Sequence, residues 1–194
     1  MRTRIIVDST ADLMPEILDR VHVVPLTVHF GEEELVDGVT IDKKTFYERL
    51  VESDVLPSTS QATPEAFMRE FEKAKQAGEQ AVVITVASKL SGTYQSAVLA
   101  AREYEHIHIV DTKTLAGAEG YLVQKAIELR AKGLGLEEIK IEIEKSIEAS
   151  ASFVIPADFE FLKRSGRLTP IAAKISSMIK IVPVMTLTAF SSVS

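Results

Sequence analysis

The sequence of 194 residues contains no cysteine and no tryptophan. Without cysteine, the chain cannot form a disulfide, a thiolate metal site or a thiol nucleophile. It has no apolar run as long as a membrane-spanning helix, and because a strand pattern begins at residues 4–8 we expect no signal peptide. These absences predict a protein without stable membrane insertion, and we expect it in the cytoplasm.

Positive charge is also scarce, because 22 basic residues face 28 acidic ones and the formal net charge is −6. A protein that binds nucleic acid needs a basic surface, so this balance argues against nucleic acid as a partner. The apolar fraction of 46% is sufficient for a hydrophobic core. The length suits one large domain, or one domain and part of another.

Strand and helix patterns alternate along residues 1–151. Such alternation predicts an α/β domain in which a mostly parallel sheet is covered by helices. A new strand pattern at residues 152–156 opens residues 152–194, which we interpret as the start of a second, smaller α/β domain. Besides that strand, the segment has only a helix predicted near residues 159–162, a helix over residues 171–179 and a strand over residues 181–187.

Three segments have weaker patterns. Residues 13–20 predict a helix, and the apolar, β-branched residues 21–30 predict one strand. Pro25 lies inside that strand, which is typical of a sheet edge or a bulge. Residues 31–35 contain three consecutive glutamates, which are typical of a solvated turn.

A hydroxyl-rich segment, LSGTYQS at residues 90–96, follows the apolar strand pattern of residues 81–86. A helical pattern begins at Tyr94, so Ser91 lies where a strand gives way to a helix and is a candidate N-cap. The unpaired N–H groups and the dipole at such a helix start can hold an anion. A plain cap explains the same residues, and both interpretations remain open.

A second hydroxyl cluster precedes the next predicted helix, with Ser58, Thr59, Ser60 and Thr63 close together. Thr63 is a predicted N-cap, since Pro64 suits the first helical position. One cap does not use four hydroxyls, so this loop is another candidate anion site. A simple Ser/Thr-rich loop is the alternative.

Three further features are candidates for chemistry. Asp8 ends the first predicted strand, where it is either a phosphoryl acceptor or a turn-ordering residue, and Thr10 breaks the Asp-x-Asp signature of the first class. His106 and His108 share one face of a strand, but no third ligand is near, so we predict no metal site. The basic residues 163–167 are either a helix C-terminus or a docking point for phosphate or a partner.

Several segments together resemble the DegV family of bacterial fatty-acid-binding proteins. They occur in the family's order over nearly the whole chain: VDSTAD at 7–12, VPL at 24–26, DG at 37–38, TSQ at 59–61 before TP at 63–64, LSGTYQSA at 90–97, DT at 111–112 and LKRSGR at 162–167. The Thr-Ser-Gln and Ser-Gly-Thr-Tyr motifs are specific in combination, and neither would be specific alone.

The resemblance implies a two-domain α/β protein that encloses one long-chain fatty acid between its domains. It implies that the hydroxyls of Thr59 and Ser91 hold the carboxylate, with Ser60 and Gly92 beside them. Some members of the family are the fatty-acid-binding subunit of fatty acid kinase, whose separate ATP-using subunit makes an acyl phosphate.

The same resemblance places Arg167 on the surface that meets the phosphate or the kinase subunit, with Asp37 near the same mouth. It therefore implies a non-catalytic carrier with no cofactor and no metal. Family members continue beyond the position of Ser194 and carry a later His-containing segment. We therefore expect residues 152–194 to be only part of the second domain.

Two other function classes compete with the carrier. One is a stand-alone phosphoryl-transfer or hydrolytic enzyme that uses Asp8 or Ser91. The sequence has no Walker loop and no Gly-x-Ser-x-Gly elbow, which disfavours this class. The other is an interaction module with an incidental pocket.

Overall fold

The computed structural model describes residues 1–155, 166 and 184–188. The strands are β1 (Thr3–Asp8), β2 (His22–Val24), β3 (Thr27–Phe30), β4 (Glu33–Val36), β5 (Ser58–Ser60), β6 (Gln80–Thr85), β7 (Ile107–Asp111), β8 (Ala151–Val154) and β9 (Met185–Thr188). The α-helices are α1 (Lys43–Glu52), α2 (Pro64–Gln76), α3 (Thr93–Ala101), α4 (Ala116–Ala131) and α5 (Leu136–Glu148), with 3-10 helices at Ser9–Ala11 and Pro15–Arg20.

A four-stranded parallel sheet in the order β2-β1-β6-β7 forms the centre of the protein. Its strands are apolar on both sides because helices cover both faces. Ile5 and Ile84 face a core that α4 and α5 complete. Ile6 and Val83 face the opposite core, where Phe71 and other side chains of α2 and α3 pack. The predicted helix-covered parallel sheet is confirmed.

Two smaller antiparallel sheets accompany the parallel one. The first has the order β4-β3-β5 and packs Val28, Phe30 and Ile41 in a small core of its own. The second pairs β8 with β9. The prediction of strands near residues 152–156 and 181–187 is confirmed for the residues that the structure describes.

The prediction of one strand over residues 21–30 is wrong, because the segment divides into β2 and β3 in different sheets. Pro25 lies at the division. It has no N–H to donate, so a sheet ladder cannot continue through it. Leu26 is instead held at its N–H, which donates to Ser9 Oγ at 3.1 Å, and at its carbonyl, which accepts from Asp37 N–H at 3.0 Å.

The prediction of a turn over residues 31–35 is confirmed for residues 31 and 32 but wrong from Glu33, which starts β4 and pairs with Phe30. Gly31, with φ of 63°, makes the tight turn between the two strands. Residues 13–20 contain a 3-10 helix that begins at Pro15 after Met14, which makes no side-chain cap. Short 3-10 helices are common where a helix lacks a cap and cannot propagate.

Some predictions concern residues outside the described part of the chain. These are the helix near residues 159–162, the basic cluster apart from Gly166, Arg167 itself and the helix over residues 171–179. The division into residues 1–151 and 152–194 stays a prediction. Among the described residues, no helix is both long enough and apolar enough to cross a membrane.

Candidate functional site

The two hydroxyl-rich segments lie against each other at the start of α3. Gln61 Nε2 donates to Ser96 Oγ at 2.8 Å. The backbone N–H of Ala62 donates to Thr93 Oγ1 at 3.3 Å, and both of these groups are buried. The segment that follows β5 is therefore fixed to the first turn of α3, although the two are distant in the sequence.

Gly92 permits this contact. A Cβ atom placed on Gly92 would lie 1.9 Å from Gln61 Oε1 and 2.6 Å from Gln61 Cδ, well inside van der Waals contact. Its φ of −73° is open to any residue, so the glycine is required for space rather than for backbone conformation. The Ser-Gly pair of one motif and the Gln of the other thus fit together as a single structure.

The prediction that Ser91 is the N-cap of α3 is wrong by one residue, since Gly92 occupies that position. Ser91 Oγ accepts a hydrogen bond from Thr93 N–H at 3.3 Å and lies 2.9 Å from Thr93 Oγ1. The side chain is half-buried. The Ser91 hydroxyl therefore still faces the first turn of α3, where N–H groups have no partner within the helix.

The hydroxyls of the second cluster divide into different roles. Thr63 Oγ1 accepts from Ala66 N–H at 3.2 Å and caps α2, with Pro64 first in the helix, as predicted. Ser60 Oγ lies 2.7 Å from His29 Nε2 on the neighbouring strand. Thr59 points to the other face of β5, because side chains alternate along a strand. It is exposed, and its hydroxyl has no partner among the described residues.

Ser60, His29 and Glu34 have the connectivity of a hydrolase triad on the β4-β3-β5 sheet. The base in such a triad is oriented by an acid held within hydrogen-bond distance. Here Glu34 Oε1 is 3.8 Å from His29 Nδ1, and the Glu34 side chain is 74% exposed. We therefore interpret the three residues as cross-strand neighbours at a surface.

Asp37 lies apart from these segments at the end of β4. It lines a groove of about 210 Å³ together with Asp8, Pro25, Val39 and Lys43. No contact among the described residues joins Asp37 to Ser91 or Thr59. Arg167, the other predicted partner contact, lies outside the described residues.

Asp8 is fully buried at the end of β1. Its Oδ1 accepts from Thr10 N–H at 2.9 Å and lies 2.6 Å from the Thr10 hydroxyl, and its Oδ2 accepts from Val86 N–H at 2.8 Å. Burial raises the pKa of Asp8, although these hydrogen bonds oppose the shift. A carboxylate with these partners orders the turn that follows β1, in agreement with the second of the two predicted roles.

Sequence reasoning missed Glu119, which is fully buried on α4 and lies 2.9 Å from the Thr10 hydroxyl. The signal was present, because Leu115, Leu122 and Ala126 form the apolar stripe of this helix and position 119 lies on the same stripe. An acid in such a stripe is buried when the helix packs. Burial, and next the charge of Asp8, raise the pKa of Glu119 well above its ordinary value.

His106 and His108 do not converge. His108 Nε2 lies 2.6 Å from Glu137 Oε1, whereas His106 Nε2 lies 3.9 Å from Glu105 Oε2. In the described part of the chain, no group of three potential ligands could hold a metal ion.

Taken together, the contacts assemble one polar surface at the α3 start from hydroxyls and backbone N–H groups. His29 lies 2.7 Å from Ser60 Oγ, and the remaining contacts between residues 59–63 and 91–96 in the described part of the chain are made by hydroxyl, side-chain amide and backbone groups. Such a surface can accept a small anion such as a carboxylate through neutral donors and the helix dipole.

Comparison with known proteins gives a consistent picture. A family model described as uncharacterised proteins of the DegV family matches residues 2–193. A DegV domain-containing protein of Clostridium perfringens is 34% identical over 172 residues, which cover 87% of this chain and 62% of that protein. One of Caldanaerobacter subterraneus is 32% identical, with 94% of this chain and 66% of the relative covered. The chain thus spans about two thirds of the length of these relatives.

Solved structures match over nearly all of the chain. A DegV family protein of Thermus thermophilus, described by its fatty acid binding, has a TM-score of 0.85 at 34% identity, covering 97% of this chain and 68% of its own. DegV of Bacillus subtilis, described as a fatty acid binding protein, has a TM-score of 0.85 at 30% identity, with coverage of 97% and 69%. A stearic acid-binding protein of Eubacterium ventriosum has a TM-score of 0.85 at 28% identity, with coverage of 96% and 67%.

Proposed function

This chain belongs to the DegV family, and from that premise we propose that it is a non-catalytic carrier that binds one long-chain fatty acid. The observation that carries the proposal is the contact of Gln61 with Gly92 and Ser96, which brings the two hydroxyl-rich segments together. The fatty acid binding described for three structural neighbours supports the same ligand class.

In this proposal, the hydroxyls of Thr59 and Ser91 donate to the carboxylate, and Ser60 and Gly92 add backbone contacts beside them. The Thr59 hydroxyl suits the role because it has no other partner among the described residues. Ser91 suits it because its Oγ lies at the first turn of α3, where it accepts from Thr93 N–H. A hydrogen bond to a charged group contributes about 1.5–3 kcal/mol. Donors of this kind neutralise a carboxylate without a buried cation.

The aliphatic tail contributes most of the proposed affinity. Each buried CH₂ group is worth about 0.8 kcal/mol, so a long chain gains more from burial than the carboxylate gains from two hydroxyls. An apolar tunnel between residues 1–151 and the domain that begins at residue 152 would enclose this tail. The contacts to the carboxylate then set the orientation of the fatty acid, and the apolar tunnel selects ligands with a long aliphatic chain.

We further propose that the bound acid is presented to a separate ATP-using kinase subunit in the cytoplasm. Arg167 and Asp37 would lie on the surface that meets the phosphate or that subunit. The support is the resemblance of residues 162–167 to the family motif and the position of Asp37 beside the groove of about 210 Å³.

The first test is mass spectrometry of an organic extract of the purified, denatured protein. A long-chain fatty acid in near-stoichiometric amount is expected. If neither this chain nor a C-terminally extended form contains or takes up a fatty acid, the proposed ligand is wrong.

The second test concerns the head group. The Thr59→Ala/Ser91→Ala double variant should lose at least about 100-fold in affinity for a fluorescent fatty acid, since two charge-assisted hydrogen bonds are removed. Ser58→Ala, on the same exposed strand, is the matched control and should bind like the wild type. Unchanged binding by the double variant would refute the head-group assignment while leaving the ligand class intact.

A further inference from the structure

Two fully buried carboxyl groups, those of Asp8 and Glu119, are joined by one hydroxyl. Thr10 Oγ1 lies 2.6 Å from Asp8 Oδ1 and 2.9 Å from Glu119 Oε2. Both distances are those of hydrogen bonds. The three residues connect α4 to the end of β1.

The number of protons limits how these contacts can form. A threonine hydroxyl has one proton to donate, and an ionised carboxylate has none. Thr10 can therefore donate to only one of the two groups. In the other contact, the carboxyl group must be protonated and must donate to Thr10 Oγ1. If both carboxyl groups were ionised, no proton would lie between Thr10 Oγ1 and one of the two carboxylate oxygens.

The hydrogen bonds show which carboxyl holds the proton. Asp8 accepts from the backbone N–H groups of Thr10 and Val86, and these bonds favour its ionised form. Within the described part of the chain, Glu119 accepts from no N–H group, and its Oε1 is buried without a partner. Burial and the charge of Asp8 raise the pKa of Glu119 well above its ordinary value, whereas hydrogen bonds from Thr10 and Val86 oppose the effect of burial on the pKa of Asp8.

Among the described residues, no basic side chain pairs with Asp8 or Glu119. The charge of Asp8 instead raises the pKa of Glu119, and the charge of Asp37 raises that of Asp8. At the end of the 3-10 helix, Asp12 is exposed and paired with Lys43. The buried residues that β6 and α5 add to the core beside α4 are apolar, and the polar contact between α4 and α5 joins Lys125 to Ser146 rather than to Glu119. The dipole at the start of α4 favours an anion, but it does not offset complete burial beside another carboxylate.

We propose that Glu119 carries a proton at neutral pH and that Glu119, Thr10 and Asp8 form a pH-sensitive positioning device for the loop that ends at Ser91. Glu119 donates to Thr10, Thr10 donates to Asp8, and Asp8 holds the N–H of Val86. This loop closes on itself, because Ala87 accepts from Ser91 N–H at 3.2 Å. The proposal concerns the loop and holds whichever ligand the loop meets.

The sign of the pH dependence follows from linkage. A group whose pKa is higher in the folded state binds its proton more tightly there, so folding is favoured while the group is protonated. The stability contributed by Glu119 is therefore fully present below the pKa of an unfolded glutamate. It is lost as the pH rises through the folded-state pKa.

The test compares wild type, Glu119→Gln and Glu128→Gln in urea unfolding from mildly acidic to alkaline pH. Glu119→Gln keeps a neutral donor toward Thr10, so its unfolding midpoint should not fall in the pH range where that of the wild type falls. Glu128→Gln, at an exposed position of the same helix, should behave like the wild type. A wild-type midpoint independent of pH, or one that falls equally in Glu119→Gln, would overturn the proposal.

Infrared spectroscopy of the wild type tests the proton itself, even if Glu119→Gln does not fold. The C=O band of a protonated carboxylic acid is expected at neutral pH and should disappear at alkaline pH. In NMR spectra recorded over the same pH range, the backbone amide resonances of Val86 and Ser91 should shift at the pH at which that infrared band disappears. Absence of the band at neutral pH, or a site that instead takes up an added divalent cation, would show that Glu119 is ionised.

Discussion

The side chain of Gln61 lies directly on Gly92, so that a methyl group on Gly92 would overlap Gln61 Oε1 at 1.9 Å. This contact joins the Thr-Ser-Gln motif to the Ser-Gly-Thr-Tyr motif, two segments that no local sequence pattern connects. It explains why a glycine follows Ser91 at a helix start where serine, threonine or asparagine are the common choices.

Gly92→Ala should separate ligand binding from stability. The alanine must displace Gln61 and break its hydrogen bond to Ser96, which costs about 0.5–1.5 kcal/mol. Because Gln61 is exposed and can move, we expect little loss of stability but a clear loss of fatty acid binding, measured by displacement of a fluorescent analogue. Gly117→Ala, where a Cβ meets nothing within 4 Å, is the control. Equal binding by both variants would contradict a role for this contact.

Thr63→Ala should lower the stability of the protein without weakening fatty acid binding, the reverse of the result expected for Gly92→Ala. Thr63 caps α2, and removal of a threonine cap lowers the free energy of unfolding by about 0.5–2 kcal/mol. Urea unfolding should show this loss, while fatty acid affinity stays that of the wild type. A large loss of affinity would place Thr63 among the ligand contacts and require revision of the roles of the hydroxyl cluster.

Gly120 and Gly117 lie within one turn of α4 and should respond in opposite directions to alanine. A Cβ on Gly120 would lie 2.7 Å from the carbonyl oxygen of Ala11, which is backbone and cannot easily move. Gly120→Ala should therefore destabilise the fold by about 1–3 kcal/mol. Gly117→Ala should stabilise it by about 0.5–1 kcal/mol, since alanine favours a helix. Thermal unfolding of the two variants measures both effects.

Acid should weaken the start of α1 through Asp42. Its side chain accepts from Thr45 N–H at 2.7 Å, and this bond lowers the pKa of Asp42. A lowered folded-state pKa means that the stabilisation is present above the unfolded pKa and is lost as the pH falls through the folded one. Asp42→Asn keeps a cap acceptor but cannot titrate. The wild type should therefore exceed this variant in stability at neutral pH and lose the advantage in acid.

The sequence predicted the elements whose patterns are long and periodic. The apolar strand at residues 81–86 and the capped helix that begins after Thr63 are present as predicted, because local caps and burial act in the same direction there. The short strands β4 and β5 were not predicted. The residues of β5 are polar and exposed, and β4 begins with two exposed glutamates, so their pairing depends on β3 rather than on their own pattern.

The site was predicted only in part for a related reason. Hydroxyl-rich segments before helices are visible in the sequence, and the structure brings the two of them together. The contact between Gln61 and Gly92 is tertiary and leaves no local pattern. Glu119 was hidden because its role depends on Thr10, a residue of another element. A polar residue within an apolar helical stripe is the one signal that would have identified it.

Pro25 and Leu26 alone separate a strand of the parallel sheet from a strand of the antiparallel one. With both backbone groups of Leu26 held, by Ser9 and by Asp37, the two sheets cannot slide past each other without breaking hydrogen bonds. A molecule that touches both sheets therefore meets a backbone that is already ordered. The conformational entropy of these residues was lost when the chain folded, before any ligand binds. Binding then requires little further ordering of the protein, which favours affinity for a flexible ligand that must lose much entropy of its own.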